Sequence, residues 1–402
     1  MALRGHCRPH LLLVLTLIIV GALAGLSNAA RNTTSTMTSK ELKMIRARLR
    51  SLNKPPLKSI QSPDGDIIDC IPFHLQPAFD HPMLKDLKPP LDPPEMPKGN
   101  ESAVNMANEV VQLWTLSGET CPEGTVAIRR TKEEDILRAP SVERFGKKLA
   151  GNAGILDSPK SREHSIVYVK GEEYYGTRAT INVWQPSVTP SDLFSLSQVW
   201  IMSSDYTNVI EAGYQVFPQL YGNNSPRLTI HWTSDDYTKT GCYNLLCPGF
   251  VQTSKKISIG TSFTGISSYN GKQYEMTLSI IKSKGDGIWW LMFGDERVGY
   301  WPTSIFTSLA GHAGEVQFGG LVVGNGDHTA TQMGSGHFPS EGFRRAAYFR
   351  NLQVITTEPL PAYFKPADGI QVIVEKPNCY DIKANKGGTW ENYFYYGGPG
   401  CH

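Results

Sequence analysis

The chain has 402 residues, and its 39 Lys and Arg nearly balance 37 Asp and Glu, so a formal charge of +2 gives no electrostatic footprint for nucleic-acid binding. Charged residues make up only 19 %, while 38 Gly, 27 Pro and 10 % aromatic residues favour a β-rich globular fold with many turns. This length predicts about two or three domains.

The first residues have the layout of a removable signal peptide. Arg4 and Arg8 precede an apolar run over residues 11–23, and the small residues Ala29 and Ala30 follow it. We therefore expect a signal peptide over residues 1–29 and a soluble protein secreted to the extracellular space. The run is shorter than a membrane span and no second long apolar run follows, so we expect no membrane segment after signal removal.

The cysteine count agrees with export. Once Cys7 is removed with the signal, six cysteines remain, and an even number in an oxidising compartment predicts disulfides. Several pairings are possible, and proximity in sequence favours Cys70–Cys121, Cys242–Cys247 and Cys379–Cys401. Three sequons predict glycosylation at Asn32, Asn100 and Asn223.

Residues 30–150 are predicted to form a small N-terminal pro-domain that begins with a helix. Thr38 and Glu41 have the spacing of a capping box, and apolar residues recur on one stripe as far as Leu52. Basic residues cover the other face, which favours a solvated surface over the alternative of a membrane-surface helix. Pro55 and Pro56 end the helix.

Three further patterns lead from this helix to the second domain. Seven prolines over residues 77–97 exclude a central strand or helix, so we expect an extended segment that lies over another part of the protein. Residues 132–148 have a helical pattern. The small, polar and basic residues that follow predict an exposed linker over residues 151–163, suited to proteolysis.

The remainder, residues 164–402, has the pattern of an all-β domain. Short alternating or apolar runs are separated by turn residues, which is typical of an antiparallel β-sandwich or barrel. The clearest runs are residues 165–170, 179–184, 198–202, 209–217, 228–232, 276–282, 288–293 and 315–323.

The common catalytic signatures are absent from the sequence. It has no G-x-S-x-G, no HExxH, no P-loop and no Asp-Thr/Ser-Gly triplet. Six paired cysteines leave no cysteine nucleophile. His231 near Cys242 and Cys247 gives only a weak zinc pattern, so we expect no metal ion and no cofactor.

One carboxylate lies in the middle of a predicted strand. Alternation over residues 208–217 places Val209, Glu211, Gly213 and Gln215 on one face. Glu211 is then either an ordinary exposed strand residue or a buried ionisable group beside a glycine that lets a neighbouring chain approach.

Several longer runs resemble the plant neprosin family of secreted proteins. They are residues 192–201 (DLFSLSQVWI), 210–216 (IEAGYQV), 240–252 (TGCYNLLCPGFVQ), 299–302 (GYWP), 331–339 (TQMGSGHFP), 378–381 (NCYD) and 395–400 (YYGGPG). Residues 71–80 (IPFHLQPAFD) and 121–126 (CPEGTV) resemble the activation-peptide domain of that family. The resemblance covers essentially everything after the signal.

The resemblance implies a β-sandwich glutamic peptidase that is made as a zymogen, cleaves next to proline and favours acid pH. Its chemistry needs two glutamates facing each other across a cleft. The ionised one takes a proton from water, and the protonated one polarises the scissile carbonyl or donates to the leaving amine. Glu211 is the counterpart of the first glutamate.

The second family glutamate is missing from this chain. It normally follows a Trp-Gly-Gly, and the matching residues 316–323 (VQFGGLVV) place Leu321 there. A leucine carries no proton, so the resemblance implies impaired catalysis. Glu315 and Gln317 share the strand parity of Leu321 but lie about 20 Å and 13 Å from it along the strand. Four other carboxylates would restore a pair if one of them faced Glu211: Asp205, Asp235, Asp236 or Asp327.

These residues support two functions. One is a secreted glutamic endopeptidase zymogen, with impaired catalysis, whose partners are proline-containing peptides and its own pro-domain. The other is a non-catalytic binder of proline-rich chains or cell-wall glycans. We expect the substrate groove to include Gln215, Trp289, Trp290, Tyr300, Trp301 and His337. Core packing is the alternative for the aromatic residues, and a structural hydrogen bond is the alternative for His337.

Overall fold

A computed structural model describes residues 38–87, 107–148, 162–190, 193–283, 286–324, 329–356 and 363–401. The predicted signal peptide, Asn32, Asn100, Asp327 and most of the predicted linker lie outside these residues. The chain forms two compact units, residues 1–47 and 48–402. Within the described parts, no helix is both long and apolar enough to cross a membrane.

Helix α1 spans Ser39–Leu52 and begins with the predicted capping box. The Glu41 backbone N–H donates to Thr38 Oγ1 at 3.2 Å, and the Glu41 carboxylate accepts from the Thr38 N–H at 2.8 Å. Two of the otherwise unsatisfied N-terminal donors are thereby paired. The predicted helix is confirmed.

The N-terminal region, residues 48–148, has a small sheet of its own. Antiparallel strands β1 (Lys58–Gln61), β2 (Ile67–Pro72) and β5 (Thr125–Arg129) form it in the order β1-β2-β5. The helix expected over residues 132–148 is mostly wrong. Only helix α2 (Glu133–Leu137) forms, and Pro140 cannot continue a helix, so residues 141–148 follow as turns and irregular chain.

The rest of the chain is the predicted antiparallel β-sandwich. It consists of a six-stranded sheet and a ten-stranded sheet. The first sheet consists of β6 (Arg162–Tyr174), β8 (Phe194–Met202), β9 (Val209–Val216), β10 (Arg227–Thr233), β16 (Ala313–Val323) and β19 (Gln371–Val374). The second consists of β3 (Asn108–Glu109), β7 (Gly176–Asn182), β11 (Val251–Gln252), β13 (Tyr274–Lys282), β14 (Trp289–Phe293), β15 (Glu296–Trp301), β17 (Ala347–Ile355), β18 (Lys365–Pro366), β20 (Asp381–Lys386) and β21 (Asn392–Gly397). The strand order in the first sheet is β10-β9-β8-β16-β6-β19. The second sheet follows the path β11-β15-β14-β13-β7-β17-β21-β20, and in addition β18 pairs with β17 and β3 pairs with β13.

The N-terminal region is built into this sandwich. Strand β3 pairs in parallel with β13, and β4 (Val111–Gln112) pairs with β12 (Phe263–Thr264). The extended conformation predicted for the proline-rich segment is wrong over its described residues, because residues 77–80 form a short 3-10 helix and residues 82–86 form turns. Ala78 and Leu84 of this segment are buried in the main apolar core, so it does lie over another part of the protein. The Gln76 side chain bonds the backbone of Gln252 twice, at 2.8 Å and 3.0 Å. The N-terminal region and the sandwich therefore share a core.

The covalent framework matches the sequence prediction. Disulfides join Cys70 to Cys121, Cys242 to Cys247 and Cys379 to Cys401, so the predicted pairing is confirmed. The sequon at Asn223 lies in the turn after the short helix α3 (Pro218–Tyr221) and is half-buried. Strand β6 begins at Arg162, so Glu163 is a buried strand residue, paired with Lys376 at 2.7 Å, and not part of the linker.

The two faces of the six-stranded sheet differ in composition. Residues opposite one another in register share a face, and the row of Val199, Ala212 and Ile230 belongs to the core between the sheets. The adjacent row, Trp200, Glu211 and His231, points to the other face. The site described below lies on that outer face.

Candidate active site

Glu211 lies in the middle of β9, between β8 and β10. Its register partners are Trp200 on one side and His231 on the other, and all three side chains are buried. Of the two interpretations offered by the sequence, the buried ionisable group is the one that the structure shows. A buried carboxylate needs partners, because desolvation of its charge is costly.

The first partner reaches Glu211 because of a glycine. Gln198 on β8 is directly opposite Gly213, and a Cβ at Gly213 would lie only 2.2 Å from the Gln198 Cβ. Without that side chain the strands approach closely, and the Gln198 amide donates to Glu211 Oε2 at 2.5 Å. Strand β8 is the neighbouring segment that Gly213 allows to approach, as the sequence predicts.

The second partner comes from the loop after β10. The Tyr237 hydroxyl donates to Glu211 Oε1 at 2.6 Å. Asp235 holds the loop in place by accepting backbone N–H bonds from Lys239 at 3.0 Å and Thr240 at 3.1 Å. Gly241 turns the chain back with φ +82°, where any Cβ would collide with the Trp232 carbonyl oxygen.

The third partner is Lys148, at the end of the described N-terminal region. Its Nζ lies 2.5 Å from Glu211 Oε1 and 4.4 Å from the centroid of the Tyr237 ring. The side chain is only 10 % exposed. The Gly146 carbonyl accepts from the Tyr243 N–H at 2.8 Å, which fixes the segment that carries Lys148.

Charge and burial set the protonation states of this site. Burial would raise the pKa of Glu211, but the Lys148 ammonium and the His231 imidazole, with hydrogen bonds from Lys148 and Tyr237, lower it to about 2. Burial lowers the pKa of His231 to about 3, although Glu211 acts in the opposite direction. Burial and Glu211 raise the pKa of Tyr237 well above its ordinary value. At neutral pH the site therefore contains an ionised Glu211, a neutral His231 and a protonated Tyr237.

His231 is close to Glu211 but is not hydrogen-bonded to it. Its Nδ1 lies 3.7 Å from Glu211 Oε1, and neither ring nitrogen has a hydrogen-bond partner. The rings of Tyr237 and Tyr243 pack at 5.4 Å and 5.2 Å from the imidazole. The weak zinc pattern is wrong, because Cys242 and Cys247 are joined in a disulfide and supply no thiolate.

None of the described candidate carboxylates faces Glu211. Asp205 accepts from Ser203, Thr207 and Ser308, and Asp235 is used by its own loop. Asp236 has no bond to Glu211 among the described contacts. Glu315 accepts from the Tyr206 hydroxyl at 2.8 Å and the Gln317 amide at 2.6 Å. Across the described residues, the partners of Glu211 are therefore two neutral donors and one ammonium, with the His231 ring nearby.

Leu321 shares the outer face with Glu211. It pairs with Leu196 on β8, which pairs with Gln215 on β9, so the three side chains point the same way. Two strand spacings and four residues separate Leu321 from Glu211, which is roughly 16 Å between Cα atoms on a flat sheet. Two glutamate side chains extended toward each other would leave a gap of roughly 6 Å.

The four aromatic residues predicted for the groove lie in the core, and this is a correction. Trp289 and Trp301 pair on β14 and β15 of the ten-stranded sheet, as do Trp290 and Tyr300, and all four are buried in the main core. Core packing, the alternative, is what the structure shows, because both faces of these strands are covered. His337 bonds Glu341 at 2.9 Å and packs on Tyr269, so it also takes its structural alternative. Gln215 alone lies on the Glu211 face.

Sequence reasoning missed three side chains of the site. The helical pattern over residues 132–148 includes Lys148 but gives it no role, and the sequence does not single out Tyr237 or Gln198. Gln198 carried a usable signal, because alternation along residues 198–202 and the glycine at 213 both direct it toward the face of Glu211. Lys148 carries no such signal, because no pattern in the neighbouring sequence indicates a partner 63 residues further along the chain.

Comparison with known protein families places this sequence in one of them. The model of the neprosin domain matches residues 191–399, and the model of the neprosin activation peptide matches residues 59–174. The chain belongs to the neprosin family. Glu211 lies in the neprosin domain and Lys148 in the activation peptide, so the contact between them joins the two parts of a peptidase zymogen.

Solved structures with partial similarity include two peptidases. Scytalido-glutamic peptidase with a transition-state analogue inhibitor is 13 % identical, with 59 % of this chain and 97 % of that chain covered and a TM-score of 0.33. SCP-B, an Eqolisin-family peptidase in complex with the tripeptide Ala-Ile-His, is 12 % identical, with 60 % and 98 % covered and a TM-score of 0.31. A homodimeric agglutinin from chicken liver is 7 % identical, with 41 % and 97 % covered and a TM-score of 0.21.

Proposed function

We propose that this chain is a secreted neprosin-family zymogen whose groove takes proline-containing peptides and whose hydrolytic step is impaired. One observation carries the proposal: Lys148 of the activation peptide occupies the only carboxylate among the described residues of the site. Export is inferred from the predicted signal peptide and is consistent with the three disulfides. A cut in the predicted linker, which begins three residues after Lys148, would allow the activation peptide to move away.

The chemistry expected of the opened site is incomplete. An ionised Glu211 takes a proton from a water molecule, which then attacks the scissile carbonyl carbon. Collapse of the resulting intermediate requires a proton on the leaving amine, and Leu321 cannot supply one. Loss of one acid–base group typically costs about 10²–10⁴-fold in rate. Two glutamates at these positions would leave room for a water molecule between their carboxyl groups, whereas the sequence has a glutamate at 211 and a leucine at 321.

The test is digestion of a proline-rich peptide by the full chain after cleavage in the linker, at acid pH. We expect Leu321→Glu to digest it at least about 100-fold faster than the natural sequence, because it restores the missing acid. Leu321→Gln is the matched control, since it has the same shape without the proton. Equal rates for all three would contradict the impaired site, and undiminished residual cleavage by Glu211→Gln would show that Glu211 is not the base.

The second candidate function is non-catalytic binding of proline-rich chains or cell-wall glycans. Leu321 favours it, because an apolar side chain on the outer face is compatible with binding and not with acid catalysis. Saturable binding of the same peptide to the cleaved chain, without any turnover even in Leu321→Glu, would support this function over the first.

A further inference from the structure

A second buried charge lies on the Glu211 face, at the start of strand β10. Arg227 pairs in register with Gln215, which has the strand parity of Glu211, so its side chain points to the same outer face. It is only 1 % exposed. One strand spacing and four residues separate Arg227 from Glu211, which is roughly 14 Å between Cα atoms on a flat sheet. The chemistry proposed above gives this arginine no role.

The guanidinium of Arg227 is held by carboxylates of the activation peptide. Its Nη1 donates to Asp66 Oδ2, and its Nη2 lies 3.4 Å from Asp64 Oδ2. The Ser262 hydroxyl donates to the same Asp64 oxygen. Both aspartates lie in the segment that matches the activation peptide, and Arg227 and Ser262 lie in the neprosin domain. Two donors of the neprosin domain thus form a carboxylate site, which the activation peptide fills.

The two sides of this contact do not depend on it equally. Asp66 also accepts from Arg129 at 2.9 Å, so the activation peptide keeps an ion pair of its own. The described ion-pair partners of Arg227 both come from the activation peptide, and the neprosin domain adds the Gly260 carbonyl at 2.9 Å and the Tyr221 ring at 4.7 Å. Its Nε has no hydrogen-bond partner among the described residues. Since a guanidinium stays charged at physiological pH, departure of the activation peptide would leave it without a counter-ion.

From these contacts we infer that Arg227 is a specificity-determining residue, which binds the carboxylate of an acidic side chain in the substrate once the activation peptide has left. A planar guanidinium beside a hydroxyl suits a carboxylate, because it can donate two parallel hydrogen bonds. Asp64 and Asp66 occupy the place of that substrate side chain in the zymogen. The inference rests on the proposed function and deepens it, because it names a substrate class for the same groove.

The geometry also fixes where the acidic residue lies in the substrate. An extended peptide advances about 3.3 Å per residue, so roughly 14 Å corresponds to about four residues. The acidic side chain should therefore lie about three to five residues from the proline at the cleaved bond. A general attraction between opposite charges would show no such dependence on position.

The experiment measures peptide binding to the full chain after cleavage in the linker, by fluorescence anisotropy. Each peptide has blocked ends, one central proline and one aspartate, which is moved in single steps along both sides, so that length and net charge stay constant. We expect a single preferred region, about three to five residues from the proline. There the peptide should bind at least about tenfold more tightly than the same peptide with asparagine.

Variants of the arginine test whether this preference belongs to it. Arg227→Gln should abolish the preference and leave the affinity for the asparagine peptide unchanged, and Arg227→Lys should retain part of it. If Arg227→Gln does not fold, Arg227→Gln/Asp66→Asn removes the opposing charge as well and serves in its place. Lys170→Gln is the matched control, because Lys170 is an exposed basic residue on the same face of the sheet, and it should keep the full preference.

The outcomes separate this inference from the proposed function. Equal affinity for every aspartate position, or a preference that survives the loss of the Arg227 charge, would overturn the inference and leave the proposed function standing. A position-specific preference without any hydrolysis, even in Leu321→Glu, would uphold the inference and contradict the catalytic part of the proposed function. Absence of binding by every peptide would overturn both.

Discussion

Glu275 and Glu211 are both buried in this sandwich beside a basic side chain, and they differ in the origin of the base. Glu275 on β13 receives two bonds from Arg350 on β17, at 2.8 Å and 2.7 Å, and both residues belong to the sandwich. Glu211 on β9 receives Lys148 from the activation peptide. The first pair persists as long as the fold does. The second pair joins the sandwich to the activation peptide, so under the proposed function it lasts only as long as that peptide stays in place.

The remaining partners of the two carboxylates differ in the same way. Glu275 has one further donor, the Tyr348 hydroxyl at 2.6 Å, whereas Glu211 has both Tyr237 and Gln198. A carboxylate that must survive the departure of its base needs other donors, because an unpaired buried charge is expensive. Under the proposed function, the Glu211 site has the donors expected of a carboxylate that loses its base, whereas Glu275 and Arg350 form a structural pair.

The largest expected effect is on the stability of the structural pair. Arg350→Met should destabilise the full chain by about 3–5 kcal/mol, because it leaves Glu275 buried with one donor. Lys148→Met should cost less, since Glu211 keeps the two donors Tyr237 and Gln198. Chemical denaturation of both variants measures the difference. Lys386→Met, at an exposed ion pair with Asp368, is the control and should change stability by less than about 0.5 kcal/mol. Equal losses of stability in Arg350→Met and Lys148→Met would remove the distinction between the two pairs.

Acid should weaken the Glu211 region through His231. The pKa of His231 is lowered to about 3 in the folded chain, against about 6.5 when unfolded, so the stability it contributes is complete above pH 6.5 and is lost as the pH falls toward 3. At pH 4 the loss should be on the order of 3 kcal/mol. Denaturation at pH 7 and pH 4 measures it, and His231→Phe should lose distinctly less over this range. A pH dependence unchanged by His231→Phe would contradict the assignment.

These two carboxylates also show how far the sequence predicts the molecule. Alternation in β9 correctly places Glu211, Gly213 and Gln215 on one face, and the turn spacing correctly predicts an antiparallel sandwich. Alternation alone does not say which face is the groove, so Trp289 and Trp301, which pack into the core from the other sheet, were assigned to the site. Pairs formed between distant segments leave no local pattern, and for this reason neither the Lys148–Glu211 contact nor the Arg350–Glu275 pair was predicted.

A smaller effect is expected where the strands approach beside Glu211. Gly213→Ala places a methyl group 2.2 Å from the Gln198 Cβ and from the Ser197 carbonyl oxygen, so β8 and β9 must separate. Overpacking of this kind costs about 1–3 kcal/mol. It should also withdraw the Gln198 amide from Glu211. Thermal unfolding measures the loss of stability, and the side-chain amide resonances of Gln198 report the loss of the hydrogen bond. Gly311→Ala, at an open position, is the matched control. A variant as stable as the natural chain would show that the close approach is not required.

The smallest effect sharpens the claim that the Glu211 pair is conditional. Burial lowers the pKa of His231 most, Glu211 raises it, and Lys148 lowers it further. Lys148→Ala removes one of the two lowering causes and leaves the raising cause in place, so the pKa of His231 must rise from about 3 toward its ordinary value of about 6.5. Titration of the imidazole C–H resonances of the full chain measures the shift, and Lys147→Ala should leave them unchanged. Cleavage in the linker should reproduce the shift only if Lys148 then leaves the pocket, so the same resonance distinguishes a segment that departs from one that remains bound after the cut.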